Sequence, residues 1–272
     1  MARFIDRFYI ECAGLPIAVY SRAEFMRYRW TYKAGQHVSF IAPSQDGKTT
    51  LAYQLMMHTA KPTLPAYGMV MKPRDATPAA WSAYLGYPEV WTWPPPKVHR
   101  WQQKPAGYTL WPRHTMDVAT DNRTMSIEFE KMLGAAYERG DCIVFADEIY
   151  GLIAELPTPF DRGEGRGKSS ITDLVIAIST RGSGMGCGLW AATQKPSGTA
   201  GKGMPGFIYS NAHHLFLSKD PDKRSRDRYA EIGGVDTDLL KQLVMMLHRH
   251  QFVYINKGDD RGGPYICIID AR

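Results

Sequence analysis

Four cysteines in 272 residues are too few and too scattered to organise a fold around sulfur: Cys12, Cys142, Cys187 and Cys267 form no C-x-x-C pair. Two lie in apolar runs, "CIVFA" and "CGLWAA", where buried, reduced thiols fit better than a disulfide or a zinc site. Long hydrophobic runs are also missing. No stretch approaches the roughly 20 apolar residues of a membrane span, so no membrane insertion is expected. The amino terminus carries charges through its first dozen residues, unlike a secretory signal, and a soluble, cytoplasmic protein is the expectation. Excess charge is modest: Lys and Arg total 33 against 27 Asp and Glu, a net +6 that suits a polyanionic partner without demanding one. With no internal repeat and no break in composition, residues 1–272 read as one domain.

What the chain does contain is an alternation of apolar strands and helices. Hydrophobic residues make up 44% of it, enough to bury a core. "HVSFIA" (37–42), "YGMVMKP" (67–73), "DCIVFADEIY", "CGLWAATQKP" and "HHLFLS" (213–218) read as buried strands. Helical spacing falls in "KTTLAYQLMMHTA", at 125–140, at about 169–180, near 221–232 and in "DTDLLKQLVMMLHRH". This pattern predicts an α/β fold with a mostly parallel sheet covered on both faces. Residues 1–36 read as an N-terminal extension and 76–112 as a Trp- and Pro-rich insertion, with short strands at "KVHRW" and "YTLWP". Residues 237–272 read as a C-terminal helix and a small hairpin.

The stretch "FIAPSQDGKTT" (40–50) departs by one residue from the phosphate-loop pattern G-x-x-x-x-G-K-[ST], with Ala42 in place of the first glycine. The loop Pro43, Ser44, Gln45, Asp46, Gly47, Lys48, Thr49 and Thr50 sits between a strand and a helix, as phosphate binding requires. Lys48 would reach the β and γ phosphates of ATP, and Thr49 would bind Mg²⁺. Ala42 is tolerable if its φ stays negative. Asp46 is the odd member, because a carboxylate beside phosphates must point to solvent or meet a cation.

Two further strand ends supply what a bare loop lacks. "DCIVFADEIY" ends in Asp147, suited to the Mg²⁺ shell, and Glu148, suited to polarising an attacking water. "LWAATQKPSG" places Gln194 at the tip of another buried strand, where an amide can sense the γ phosphate and orient water. A pure nucleotide switch needs no such base, and a small-molecule kinase would need an Arg-rich lid that is not recognisable here.

Taken together, "FIAPSQDGKTT", "IVFADEIY" and "RGSGMGCGLWAATQKPSG" resemble the HerA–FtsK superfamily of ring-forming, DNA-pumping ATPases over residues 37 to about 220. The "ATQKPS" strand end is the most specific part of the match. The resemblance implies a RecA-like P-loop NTPase fold of the ASCE type, with Lys48, Thr49, Asp147, Glu148 and Gln194 in the nucleotide roles. It further implies double-stranded DNA as partner and self-assembly into a pentameric or hexameric ring. Such rings complete each site with an arginine from the neighbour; Arg181 in "RGSGMG" matches, with Arg162 and Arg166 as alternatives. A chain with little beyond the motor core is most like a viral or phage genome-packaging ATPase, docking on a capsid portal in the host cytoplasm. The alternatives are a plasmid or integrative-element transfer ATPase and a nucleotide-switched binding module.

Two segments bear on DNA. "FDRGEGRGKSS" carries Arg162, Arg166 and Lys168 on a Gly-rich backbone, a composition that suits sequence-independent phosphate contacts or a solvated surface loop. Trp91, Trp93 and Trp101, near Lys97, His99 and Arg100, would either stack bases or, the reading preferred here, pack the insertion.

Overall fold

Strict alternation along the central strands decides which side chains face which layer. In a computed structural model, which describes residues 8–85, 87–99, 101–164, 167–195, 205–258 and 264–271, both faces of these strands are buried. The chain runs β1 (Phe8–Cys12), β2 (Leu15–Ser21), α1 (Arg22–Tyr28), β3 (Val38–Ile41), α2 (Lys48–Thr59), β4 (Ala66–Met69) and α3 (Ala76–Leu85). It continues through β5 (Glu89–Val90), β6 (Gly107–Leu110), α4 (Val118–Arg139), β7 (Cys142–Ala146), α5 (Ile149–Ala154) and α6 (Ile171–Arg181). A 3₁₀ turn (Gly182–Met185) leads to β8 (Cys187–Thr193), α7 (Gly206–Ser210), β9 (His214–Ser218), α8 (Lys223–Gly233), α9 (Thr237–Met246), β10 (Gln251–Asn256) and β11 (Tyr265–Asp270).

The described strands form one sheet in the order β1-β2-β11-β10-β9-β3-β8-β7-β4-β6-β5. From β9 to β5 every pairing is parallel, with Val38 opposite Trp190 and Cys142 opposite Cys187. One face buries Cys142, Val144, Leu189 and Ala191 under Phe129 and Leu133 of α4, Val175 and Ile178 of α6 and Leu240 of α9. The other face buries Phe40, Ile143, Phe145 and Trp190 against Phe25 of α1 and Leu51, Leu55 and Met56 of α2. A sheet covered on both sides explains the near-continuous apolar runs of its central strands. All four cysteines are buried free thiols.

The expected C-terminal hairpin is present, but it is part of this sheet: β10 pairs antiparallel with β9 and with β11. The N-terminal segment is likewise structural, since β2 runs parallel to β11 and pairs antiparallel with β1. Within the insertion, "YTLWP" supplies β6, whereas residues 97–99 of "KVHRW" form no strand. Pro94, Pro95 and Pro96 lie just before it and remove ladder donors, and the edge strand falls earlier, at Glu89–Val90. Helix α4 begins seven residues ahead of its expected start because the Asp117 carboxylate caps the Thr120 N–H. Trp93 packs edge-on against Tyr67 at 5.3 Å, as the packing reading holds for it; Trp91 and Trp101 are exposed, the first with Arg113 over its ring and the second stacked on His99. Arg100 lies outside the described residues. No helix among the described residues is long and apolar enough to cross a membrane.

Candidate nucleotide site

Strand order brings the three motifs to one edge. β8 lies between β3 and β7, so the strand ends carrying the phosphate loop, Thr193–Gln194 and Asp147–Glu148 stand side by side. At the loop, Ala42 keeps a negative φ and continues the strand ladder, its N–H donating to Thr193 O at 3.1 Å. The turn is made further on, by Gln45 (φ +64) and Gly47 (φ +87). Gly47 is the N-cap of α2 and no side chain caps that end, which leaves first-turn amides to meet an anion. Ser44 and Gln45 are exposed and Lys48 is buried at the head of the helix.

Thr49 Oγ1 donates to Asp147 Oδ1 at 2.5 Å, so the two expected metal ligands meet across 98 positions of sequence. Two adjacent hard oxygens suit Mg²⁺, which takes few protein ligands and keeps water and phosphate oxygens for the rest. Glu148 is the N-cap residue of α5, yet its carboxylate does not cap the helix. Instead it turns to the end of β8 and accepts from Thr193 Oγ1 at 3.3 Å and Gln194 Nε2 at 3.4 Å. Burial pushes the Glu148 carboxyl above its ordinary range; Lys48 pulls it back, Asp147 raises it again, and the two donors from β8 oppose the rise.

One participant escaped the sequence reading. Lys72, just beyond β4, places Nζ 3.4 Å from Asp147 Oδ2 and 3.2 Å from Asp75 Oδ2. It lines a cleft with Met71, Asp75, Asp147 and Glu148. A cation three residues past a core strand end was the available signal, but proximity to Asp147 depends on β4 pairing with β7, which sequence does not show.

The expectations for two residues change. Asp46 does not face solvent, and no cation pairs with it among the described residues: it is 7% exposed, and its Oδ1 accepts the His250 N–H at 3.1 Å. Arg162 is not a free DNA contact or a finger. Its side chain is 2% exposed, paired with Glu130 at 2.5 Å and Glu164 at 2.6 Å, and it also donates to Ser126 Oγ and Pro157 O. With Nε, Nη1 and Nη2 each bonded inside the fold, Arg162→Ala is expected to lower the melting temperature by roughly 5–10 °C. It should leave the salt dependence of any DNA binding unchanged; thermal melts and binding titrations at several salt concentrations check both. Lys168 is exposed and pairs with Glu164 at 3.0 Å, while Arg166 lies outside the described residues, as do Pro196 and Ser197 of "ATQKPS".

Arg181 is exposed at the end of α6, its guanidinium 5.6 Å from the Tyr137 ring centroid. It precedes β8, whereas the phosphate loop follows the parallel strand β3. The seven residues of β8 separate the two edges by about 23 Å, so Arg181 does not reach its own chain's loop.

A phosphate loop on one core strand, paired acids two strands away and a polar strand end between them define a RecA-like P-loop NTPase architecture. No protein-family model matches the chain, and no curated protein matches it in sequence. Among solved structures it is similar to the DNA-packaging ATPase of Sulfolobus turreted icosahedral virus, at 14% identity and a TM-score of 0.54, covering 89% of this chain and 100% of that one. The genome packaging NTPase of Sulfolobus turreted icosahedral virus 2, in complex with ATP-gammaS, gives 13% identity and a TM-score of 0.55 over 89% and 100% of the two chains. ATPases 2 and 3 of EccC from Thermomonospora curvata, in complex with a signal sequence peptide, give 13% identity and a TM-score of 0.50 over 88% of this chain and 38% of that one. At such identities the likeness is one of fold.

Proposed function

We propose that this chain is an ATP-driven double-stranded DNA translocase, the motor of a viral or phage genome-packaging machine working as a homo-oligomeric ring. The observation that carries the ATPase reading is Glu148, a half-buried carboxylate held by Thr193 and Gln194 beside the Thr49–Asp147 pair. A switch that only binds nucleotide has no use for a positioned base, and a hydrolase does. In this reading the inward amides of residues 43–50 and Lys48 hold the phosphates of ATP, and Thr49 and Asp147 hold Mg²⁺. The metal, when bound, supplies charge neutralisation at the phosphate oxygens. Glu148 accepts the proton of the attacking water while Gln194 orients it, and a neighbour's Arg181 completes the site.

The packaging assignment rests on the match to the full length of the viral DNA-packaging ATPase. One motor domain over residues 1–272, a pentameric or hexameric ring, docking on a capsid portal and action in the cytoplasm belong to the same proposal. Lys168, with Arg166, remains the DNA-facing candidate once Arg162 is removed. The test is ATP turnover with and without linear double-stranded DNA, alongside the mass of the assembly. DNA-stimulated turnover in a closed oligomer supports the proposal; turnover in a monomer indifferent to DNA removes its motor half.

A further inference from the structure

The turn between α9 and β10, His248-Arg249-His250, lies against the outer side of the phosphate loop and meets three consecutive loop residues. Arg249 Nη2 donates to Gln45 O at 3.3 Å, and the His250 N–H donates to Asp46 Oδ1 at 3.1 Å. His250 Nδ1 is the atom a Cβ on Gly47 would meet, at 3.3 Å. On its other side the turn is tied into the sheet edge, with the Ala271 N–H donating to His250 O at 2.9 Å and the His248 N–H to Gln251 Oε1 at 2.9 Å. His250 itself sits at φ +64, a conformation a side-chain-bearing residue adopts only when its surroundings hold it there.

A phosphate loop binds through amides that point inward, leaving carbonyls and side chains outward. The turn takes one outward carbonyl and one outward carboxylate and leaves the inward amides alone. Asp46 is buried, and its Oδ2 has no hydrogen-bond partner among the described residues. A half-satisfied buried carboxylate is costly, and a loop that only had to turn would not need one. We propose that Asp46 is a positioning residue: it clamps the phosphate loop onto the turn before β10, making the C-terminal hairpin part of the nucleotide site. The loop is thereby held in its phosphate-accepting shape in advance, so ordering it costs little when nucleotide arrives. The proposal rests on the nucleotide-binding reading above.

The experiment is calorimetric titration of the full chain with ATP-gammaS and Mg²⁺, paired with amide hydrogen exchange over residues 248–252. Asp46→Ala is expected to weaken ATP-gammaS binding by about tenfold or more, and to speed exchange at His250. Asp46→Asn keeps a carbonyl acceptor for the His250 N–H and is expected to stay within about threefold of the native protein. Equal affinity for Asp46→Ala and the native chain overturns the clamp, as does an Asn variant as weak as the Ala variant. If Asp46→Ala fails to fold, the native protein decides: exchange at 248–252 slows when ATP-gammaS binds, and unchanged exchange overturns the clamp. A native chain that binds no ATP-gammaS removes the nucleotide reading itself, an outcome distinct from the others.

Discussion

Glu148→Gln is expected to cut ATP turnover by about 10²–10⁴-fold while ATP binding survives. The carboxylate touches neither the phosphate loop's amides nor the Thr49–Asp147 pair; its partners are Thr193 and Gln194. Glutamine matches its shape, with a carbonyl to accept from Gln194 and an amide that can donate to Thr193 Oγ1, but it cannot take a proton from water. The variant should also be at least as stable as the native chain. Burial raises the folded-state carboxyl above its usual range, so the ionised form detracts from stability once pH rises above that of the unfolded group. Loss of activity therefore cannot be put down to unfolding. The same shift sets the pH profile. The base must be ionised to work, so the acid limb of kcat should lie above the ordinary carboxylate range. Removing the Gln194 donor with Gln194→Leu should move that limb to higher pH. Turnover of Glu148→Gln comparable to the native chain would take the base away from Glu148.

Arg181→Ala is expected to lower turnover by about a thousandfold or more in the assembled protein, the scale of an arginine supplied in trans. Its position argues that any such service goes to a neighbour: it stands at the strand-start edge, with the length of β8 between it and its own phosphate loop. Mixing separates this role from a structural one. Subunits with Arg181→Ala retain Glu148, and subunits with Glu148→Gln retain Arg181. An interface that joins an intact Glu148 to an intact Arg181 should regain activity, so mixtures should turn over ATP faster than either variant alone. No gain at any mixing ratio returns Arg181 to the simpler role of a cation at a helix C-terminus, over Tyr137.

The parts of the site that could be read in the sequence are those carried by strand ends. "FIAPSQDGKTT", Asp147, Glu148 and Gln194 each follow a short apolar run, and parallel strands deliver their ends to one edge whatever their spacing along the chain. Alternation and run length were likewise enough for the covered parallel sheet and for the terminal hairpin. What escaped depends on contacts that no local pattern encodes. Asp46 and His250 meet across 204 positions, through a backbone N–H that any residue but proline would offer. Lys72 acquires its place only when β4 pairs with β7. Arg162, in a glycine-rich basic loop, looked solvent-facing because composition reports charge and not burial; Glu130 of α4, 32 positions earlier, draws it inward. The N-terminal strands were passed over for a similar reason, since β2 finds its partner in β11 at the other end of the chain.

In the proposed function, ATP hydrolysis at this site moves double-stranded DNA. The direct measurement is displacement of a labelled third strand from a linear duplex by the full chain with Mg²⁺ and ATP. The account predicts displacement by the native protein and none by Glu148→Gln at the same occupancy of ATP. ATP hydrolysed at full rate with the third strand left in place, across duplexes of different lengths and ends, would contradict it.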